Sequence, residues 1–217
     1  MDFKEMFDLD QSPSKTNSKR DKFISRLFGI FSEEIIRIGF RNSEDNQYRL
    51  TDIGRPTLYL KNELGEKTKE KYTLDFTLCD ENGDLYITEM KCELEYKGYQ
   101  YLELTHKEQV LRHKKKPAFA VLLDLAQAIK NNQAEQKYAI TCNGKSIDFK
   151  KLKGIALIWG RTTAKGVEEV KQSLEFCHVI SVEEVVNYLV KNNNLDYYAL
   201  IKDYENWCDL LFTQLRN

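Results

Sequence analysis

An α/β layered fold is predicted for this chain by three features: a long amphipathic opening helix, two alternating segments hinged on Asn-Gly, and later strand periods that alternate with helical ones. Its 217 residues, 41% of them apolar, can bury a substantial core, suiting one α/β domain and leaving two cramped.

The opening helix is expected over Arg20 to Phe40, where Phe23, Leu27, Phe31 and Ile38 recur at helical spacing along one stripe. Glu34 falls on that stripe, three residues after Phe31 and four before Ile38, whereas Glu33 groups with Arg26 and Arg37 on the polar side. A carboxylate on a buried face needs a partner, because an unpaired charge there is costly. Ahead of the helix, Gln11 to Lys19 is polar and proline-interrupted, as a loop or arm would be.

Thr57 to Lys61 (TLYLK), after the turn signal Gly54-Arg55-Pro56, reads as a first strand. The segments KYTLDFTLCD and DLYITEMKCE follow, separated by Glu81-Asn82-Gly83, a strong hairpin signal. Tyr101 to Lys116 is expected to be helical, and Pro117 suits the first turn of another helix, AFAVLLDLAQAI. Ile155 to Trp159 (IALIW) reads as a buried strand. The tail holds a short strand near Val179, a helix from about Val182 to Val190 and an amphipathic helix from about Tyr197 to Leu215.

The hairpin fixes which side chains can meet. A three-residue loop with Gly83 in the left-handed conformation pairs Asp80 with Asp84 and so places Asp75 opposite Glu89. Period-two geometry sends Leu85, Ile87, Glu89 and Lys91 to one face and Tyr86, Thr88, Met90 and Cys92 to the other, shared with Leu74, Phe76 and Leu78. A two-residue turn would slip the register by one and move Asp75 to the wrong face. Two carboxylates opposed across a hairpin repel, and a divalent cation removes the conflict. Hard oxygen donors suit Mg²⁺ or Mn²⁺, which polarise a phosphoryl oxygen and acidify bound water. Lys91 on the same face can orient that water or stabilise charge on a phosphate. Glu-x-Lys occurs four times, at Glu89/Lys91, Glu95/Lys97, Glu135/Lys137 and Glu169/Lys171, and only the first lies in a clear strand.

Asp75 followed by Glu89-Met90-Lys91 on a hairpin resembles the PD-(D/E)XK motif of restriction endonuclease-like nucleases. The resemblance implies a central mixed sheet flanked by helices in the order α-β-β-β-α-β, here with additional C-terminal helices. It divides a single domain into an N-terminal arm (1–19), a nuclease core (20–160) and a C-terminal α/β extension (161–217). Leu74 stands where the motif's proline would be, a position that is often not proline in the family. It further implies that Asp75, Glu89 and Glu34 are metal ligands, with Lys91 completing the catalytic set, and that Gln109 can face the site.

Arg112, His113, Lys114, Lys115 and Lys116 form a basic run suited to phosphate contacts, and Gln109, Arg112, Lys114 and Lys115 are the candidate DNA-binding residues. Any such contact must be local, because 33 basic and 34 acidic residues leave a net charge of −1. Tyr96, Tyr99 and Tyr101 are candidates for base stacking, and Gly160-Arg161-Thr162-Thr163 for a phosphate turn. The three histidines lack zinc spacing, and no GxSxG or Walker A pattern occurs. Five cysteines without CxxC spacing suggest reduced thiols. The start lacks a signal-peptide layout and no apolar run would span a bilayer, so a soluble, cytoplasmic protein is expected.

The expected activity is Mg²⁺-dependent DNA endonuclease, of the restriction or genome-defence type and suited to a homodimer for double-strand cleavage. A catalytically silent nucleic-acid-binding module on the same fold and a nuclease acting on RNA stay open as alternatives.

Overall fold

The opening helical period becomes α1 (Lys19–Gly39) in the computed structural model, which describes residues 19–95 and 100–216. The arm expected up to Lys19 lies outside the described residues except for Lys19 itself, as do Tyr96, Tyr99 and the Phe23 side chain. Strands β1 (Leu50–Asp52), β2 (Pro56–Lys61), β3 (Lys67–Thr73), β4 (Phe76–Asp80) and β5 (Leu85–Lys91) follow. Two-residue strands β6 (Leu94–Glu95), β7 (Gln100–Tyr101) and β8 (Glu103–Leu104) lead to α2 (Lys107–Leu111). A 3₁₀ turn over Arg112–Lys115 then enters α3 (Pro117–Lys130), with Pro117 in its first turn as expected. The remainder comprises α4 (Ala134–Lys137), β9 (Tyr138–Cys142), β10 (Lys145–Ser146), β11 (Leu152–Trp159), β12 (Arg161–Thr162), α5 (Ala164–Leu174), β13 (Phe176–Ser181), α6 (Val182–Lys191) and α7 (Leu195–Arg216).

The fold is α/β. A five-stranded mixed sheet runs β1-β4-β5-β11-β13, antiparallel through β5 and parallel from β5 to β13. An antiparallel sheet, β10-β9-β2-β3, packs beside it. Alternation along the central strands supplies two cores. Phe76, Leu78, Tyr86 and Ile158 meet Ile35 and Ile36 of α1 and Val185 and Leu189 of α6. Leu85, Ile87, Leu157 and Trp159 face the other way, toward Phe119, Leu122 and Leu125 of α3 and toward Leu58 and Ile140 of the second sheet. Thr163 and Ser181 start α5 and α6 by accepting hydrogen bonds from the Gly166 and Glu184 amides.

Three expectations change. TLYLK is a strand, but it belongs to the second sheet, and the place beside β4 is taken by the shorter Leu50–Asp52. Tyr101–Leu104 is not helical: β8 pairs with β12, so helix begins only at Lys107. KYTLDFTLCD is two strands in two sheets. Leu74 donates its N–H to Pro56 O (3.1 Å) in the second sheet, while Asp75 donates to Thr88 O (3.2 Å) in the first. The chain turns between them, which puts Leu74 in the α3 core rather than on the Phe76 face. The tail from 161 onward supplies β13 to the central sheet. No helix among the described residues is long and apolar enough to cross a membrane, and all five cysteines are free thiols.

Candidate functional site

The turn between β4 and β5 has the geometry that its residues require. Gly83 sits at φ +80° and donates its N–H to Asp80 O (3.0 Å), and Asp80 donates to Asp84 O (3.0 Å). Phe76 therefore pairs with Thr88 and Cys79 with Leu85, a register that runs on to set Asp75 against Glu89. At the open end, Asp75 Oδ2 accepts the Met90 N–H (2.8 Å), which anchors the carboxylate to the far end of β5.

Glu89 and Lys91 project from the same side of β5, beside Leu157 and Trp159 of β11. The Lys91 ammonium contacts Glu89 Oε1 and donates to Met90 O (2.8 Å). The Glu89 side chain is only 9% exposed. Burial pushes its carboxyl up to about 7, Lys91 opposes the rise and Asp75 adds to it. Burial wins over the adjacent ammonium because desolvation penalises the anion on every side, whereas the ion pair relieves it on one.

A wider polar network surrounds Asp75. Arg55 Nη2 lies 3.5 Å from Asp75 Oδ1 and 4.0 Å from Glu33 Oε1. Arg37 binds Glu33 (2.8 Å) and Asp52 (3.2 Å) and stacks over Phe76, its guanidinium 5.1 Å from the ring centre. Burial raises the Asp52 carboxyl, against the Gly54 amide and Arg37. Of the two helix glutamates, Glu33 thus joins the Asp75 network. Glu34 accepts a hydrogen bond from Tyr204 of α7 (3.1 Å). The i,i+4 pairing of Glu33 with Arg37 is the sequence signal that tethers Glu33 here.

Arg112, Lys114, Lys115 and Lys116 are exposed, and His113 turns inward between Phe119 and Trp159. His113 Nε2 lies 3.1 Å from Glu93 Oε1. His113 first, then Arg112 and Lys116, hold the Glu93 carboxyl below the usual range. Because Glu93 is two residues past Lys91, this stations the run beside the β5 end. Gln109 is committed elsewhere: it is buried, Oε1 accepts the Thr105 (2.7 Å) and His106 (3.1 Å) amides, and Nε2 donates to Glu103 O (2.8 Å). It is buried with both side-chain polar atoms engaged in holding the start of α2, turned away from any bound nucleic acid. Arg161 is likewise engaged by Glu183 (3.2 Å) and Glu103 (3.6 Å), and the Tyr101 ring packs edge-on against Phe28.

Among the described residues, no group of three or more His, Cys, Asp or Glu side chains is arranged to hold a metal ion. Asp75 and Glu89 are a pair, and a pair suits Mg²⁺, which retains several waters and takes one or two protein carboxylates alongside substrate phosphate. The donor set is what fits: two carboxylates, Asp75 and Glu89, face each other across the open end of β4 and β5, with Lys91 and Arg55 beside them. No protein-family model, curated protein or solved structure matches the chain, so its functional reading is carried by the geometry around Asp75.

Proposed function

We propose that this protein is a Mg²⁺- or Mn²⁺-dependent phosphodiester hydrolase acting on DNA, an endonuclease of the restriction or genome-defence type with a PD-(D/E)XK active centre at Asp75, Glu89 and Lys91. One observation carries the reading: the hairpin register brings two carboxylates and an ammonium together at the open end of β4 and β5. The order α1, β1, β4, β5, α3, β11 is compatible with an α-β-β-β-α-β core.

Asp75 and Glu89 would hold the ion, which supplies Lewis-acid polarisation of the phosphoryl oxygen and a more acidic water when bound. Glu89 must give up its proton to become a ligand. Lys91, which contacts Glu89 in this structure, would orient the attacking water or neutralise charge growing on the phosphate. Arg55 stands near enough to Asp75 to meet an adjacent phosphate oxygen. Glu34, the third proposed ligand, accepts a hydrogen bond from Tyr204 through Oε2, while Glu33 is the helix glutamate tied to Arg55 beside Asp75.

Supercoiled plasmid and a structured RNA, each incubated with Mg²⁺ or Mn²⁺, test the reading. Wild type should nick the plasmid, and Asp75→Ala and Lys91→Ala should each lower the rate by at least about 100-fold. DNA binding with no cleavage under either metal would instead identify a silent binding module, and cleavage of RNA alone would move the substrate class.

A further inference from the structure

We propose that the outer face of the second sheet is a nucleic-acid-binding platform, gripping phosphates through Lys67, Lys69 and Lys71 as the DNA runs away from the candidate site. The identity of the polyanion rests on the phosphodiesterase reading, while the platform itself rests on what occupies that face. In β3, KTKEKYT, Thr68 and Tyr72 are partly buried and α3 packs against the strand, whereas Lys67, Lys69 and Lys71 are exposed. Tyr72 pairs with the buried Leu58, which marks the inner face. Lys71 stands opposite Tyr59, and the Lys67 ammonium lies 5.0 Å from the centre of the Tyr59 ring, so both flank that ring on the outer side. Thr141 and Ala139 of β9, opposite Thr57 and Tyr59, continue the same surface.

No acidic residue occupies a strand position of this face. The one carboxylate of β3, Glu70, is held by the Tyr72 hydroxyl on the alternate side. Among the described residues, none of the three ammonium groups takes part in an ion pair. Glu63, Glu66 and Glu70 are exposed in the adjoining turn and on the alternate side, so the positive character belongs to this one face and not to the segment as a whole. Residues two apart on a strand are roughly 7 Å apart, so the three lysines span roughly 14 Å and can each meet a separate phosphate of a duplex backbone.

The placement is directional. Thr73 ends β3 two residues before Asp75, and β2 begins next to Arg55, which is 3.5 Å from Asp75. Both feet of the ribbon therefore stand at the site. Lys71 is at most about 14 Å and Lys67 at most about 27 Å from Asp75 along the chain, within the reach of about eight base pairs of duplex.

The test is fluorescence anisotropy of a labelled 30-base-pair duplex with the full chain in EDTA across a salt series, comparing wild type with Lys67→Gln/Lys69→Gln/Lys71→Gln and the corresponding Lys→Arg triple variant. The glutamine variant should bind about tenfold or more weakly at 0.1 M salt, with a salt slope shallower by about 2 to 3, and the arginine variant should restore both. Unchanged circular dichroism would establish that the exposed substitutions leave the fold intact. Equal affinity and slope in the glutamine variant would overturn the platform, as would lysine-dependent capture of phosphatidylserine vesicles without DNA binding. Plasmid nicking by wild type beside an unchanged slope sinks the platform and leaves the hydrolase standing; lysine-dependent binding with no cleavage under any divalent ion does the reverse.

Discussion

Replacing Glu89 with glutamine should make the metal-free protein more stable at pH 8 and no more stable at pH 4.5. Burial lifts the carboxyl from an ordinary 4.5 to about 7 in the folded state. A raised acid binds its proton more tightly when folded, so stability is full below pH 4.5, falls as pH climbs to about 7, and carries the whole cost above that. A rise of this size corresponds to about 3 kcal/mol. The glutamine variant escapes that cost but offers Lys91 a neutral oxygen in place of a carboxylate; Lys91 keeps its bond to Met90 O (2.8 Å), so the net gain at pH 8 should be about 1–3 kcal/mol. Urea denaturation at both pH values measures it. Adding Mg²⁺ at pH 8 should then stabilise wild type more than the variant, with wild-type affinity rising about tenfold per pH unit up to pH 7. A pH-independent difference, or a variant weaker than wild type at pH 8, would refute burial as the origin of the raised carboxyl.

Gln109→Ala should cost about 1–3 kcal/mol in denaturation experiments by stranding the Thr105 and His106 amides, with the salt dependence of DNA binding unchanged. Gly83→Ala forces a side chain into φ +80° and should lower the melting temperature by a few degrees, for a cost of about 1–2 kcal/mol. Neutralising Arg112, Lys114 and Lys115 together to glutamine should make the salt slope of duplex binding shallower by about 2 to 3 in anisotropy titrations, while leaving the cleavage rate at saturating DNA within about twofold.

The hairpin was legible because two independent signals agreed: Glu81-Asn82-Gly83 fixed the loop and the alternation fixed the faces. Helices α1, α3, α6 and α7 announced themselves through long apolar periods, with Pro117 marking the start of α3. Leu50–Asp52 is too short to display a period, and its role as an edge strand comes from pairing with β4. The spacing of Tyr101 and Leu104 mimics a helix, and only the remote partners Arg161 and Thr162 make Glu103 and Leu104 a strand. Glu33 was hidden for a related reason: Arg55 reaches it from a turn 22 positions away, a contact no helical wheel contains. Gln109 shows the reverse hazard, since a polar residue in a basic helix looks like a recognition group until its backbone partners are seen.

The kink at Leu74 and Asp75 ties the candidate centre to both halves of the molecule at once. One neighbour of Asp75 is embedded among the side chains beneath α3 and the other among those beneath α1 and α6. The acid is a rivet through two plates, and any slippage of one plate against the other shears it away from Glu89. Under the proposed hydrolase reading, plasmid nicking should therefore fall on warming at a lower temperature than the loss of secondary structure followed by circular dichroism.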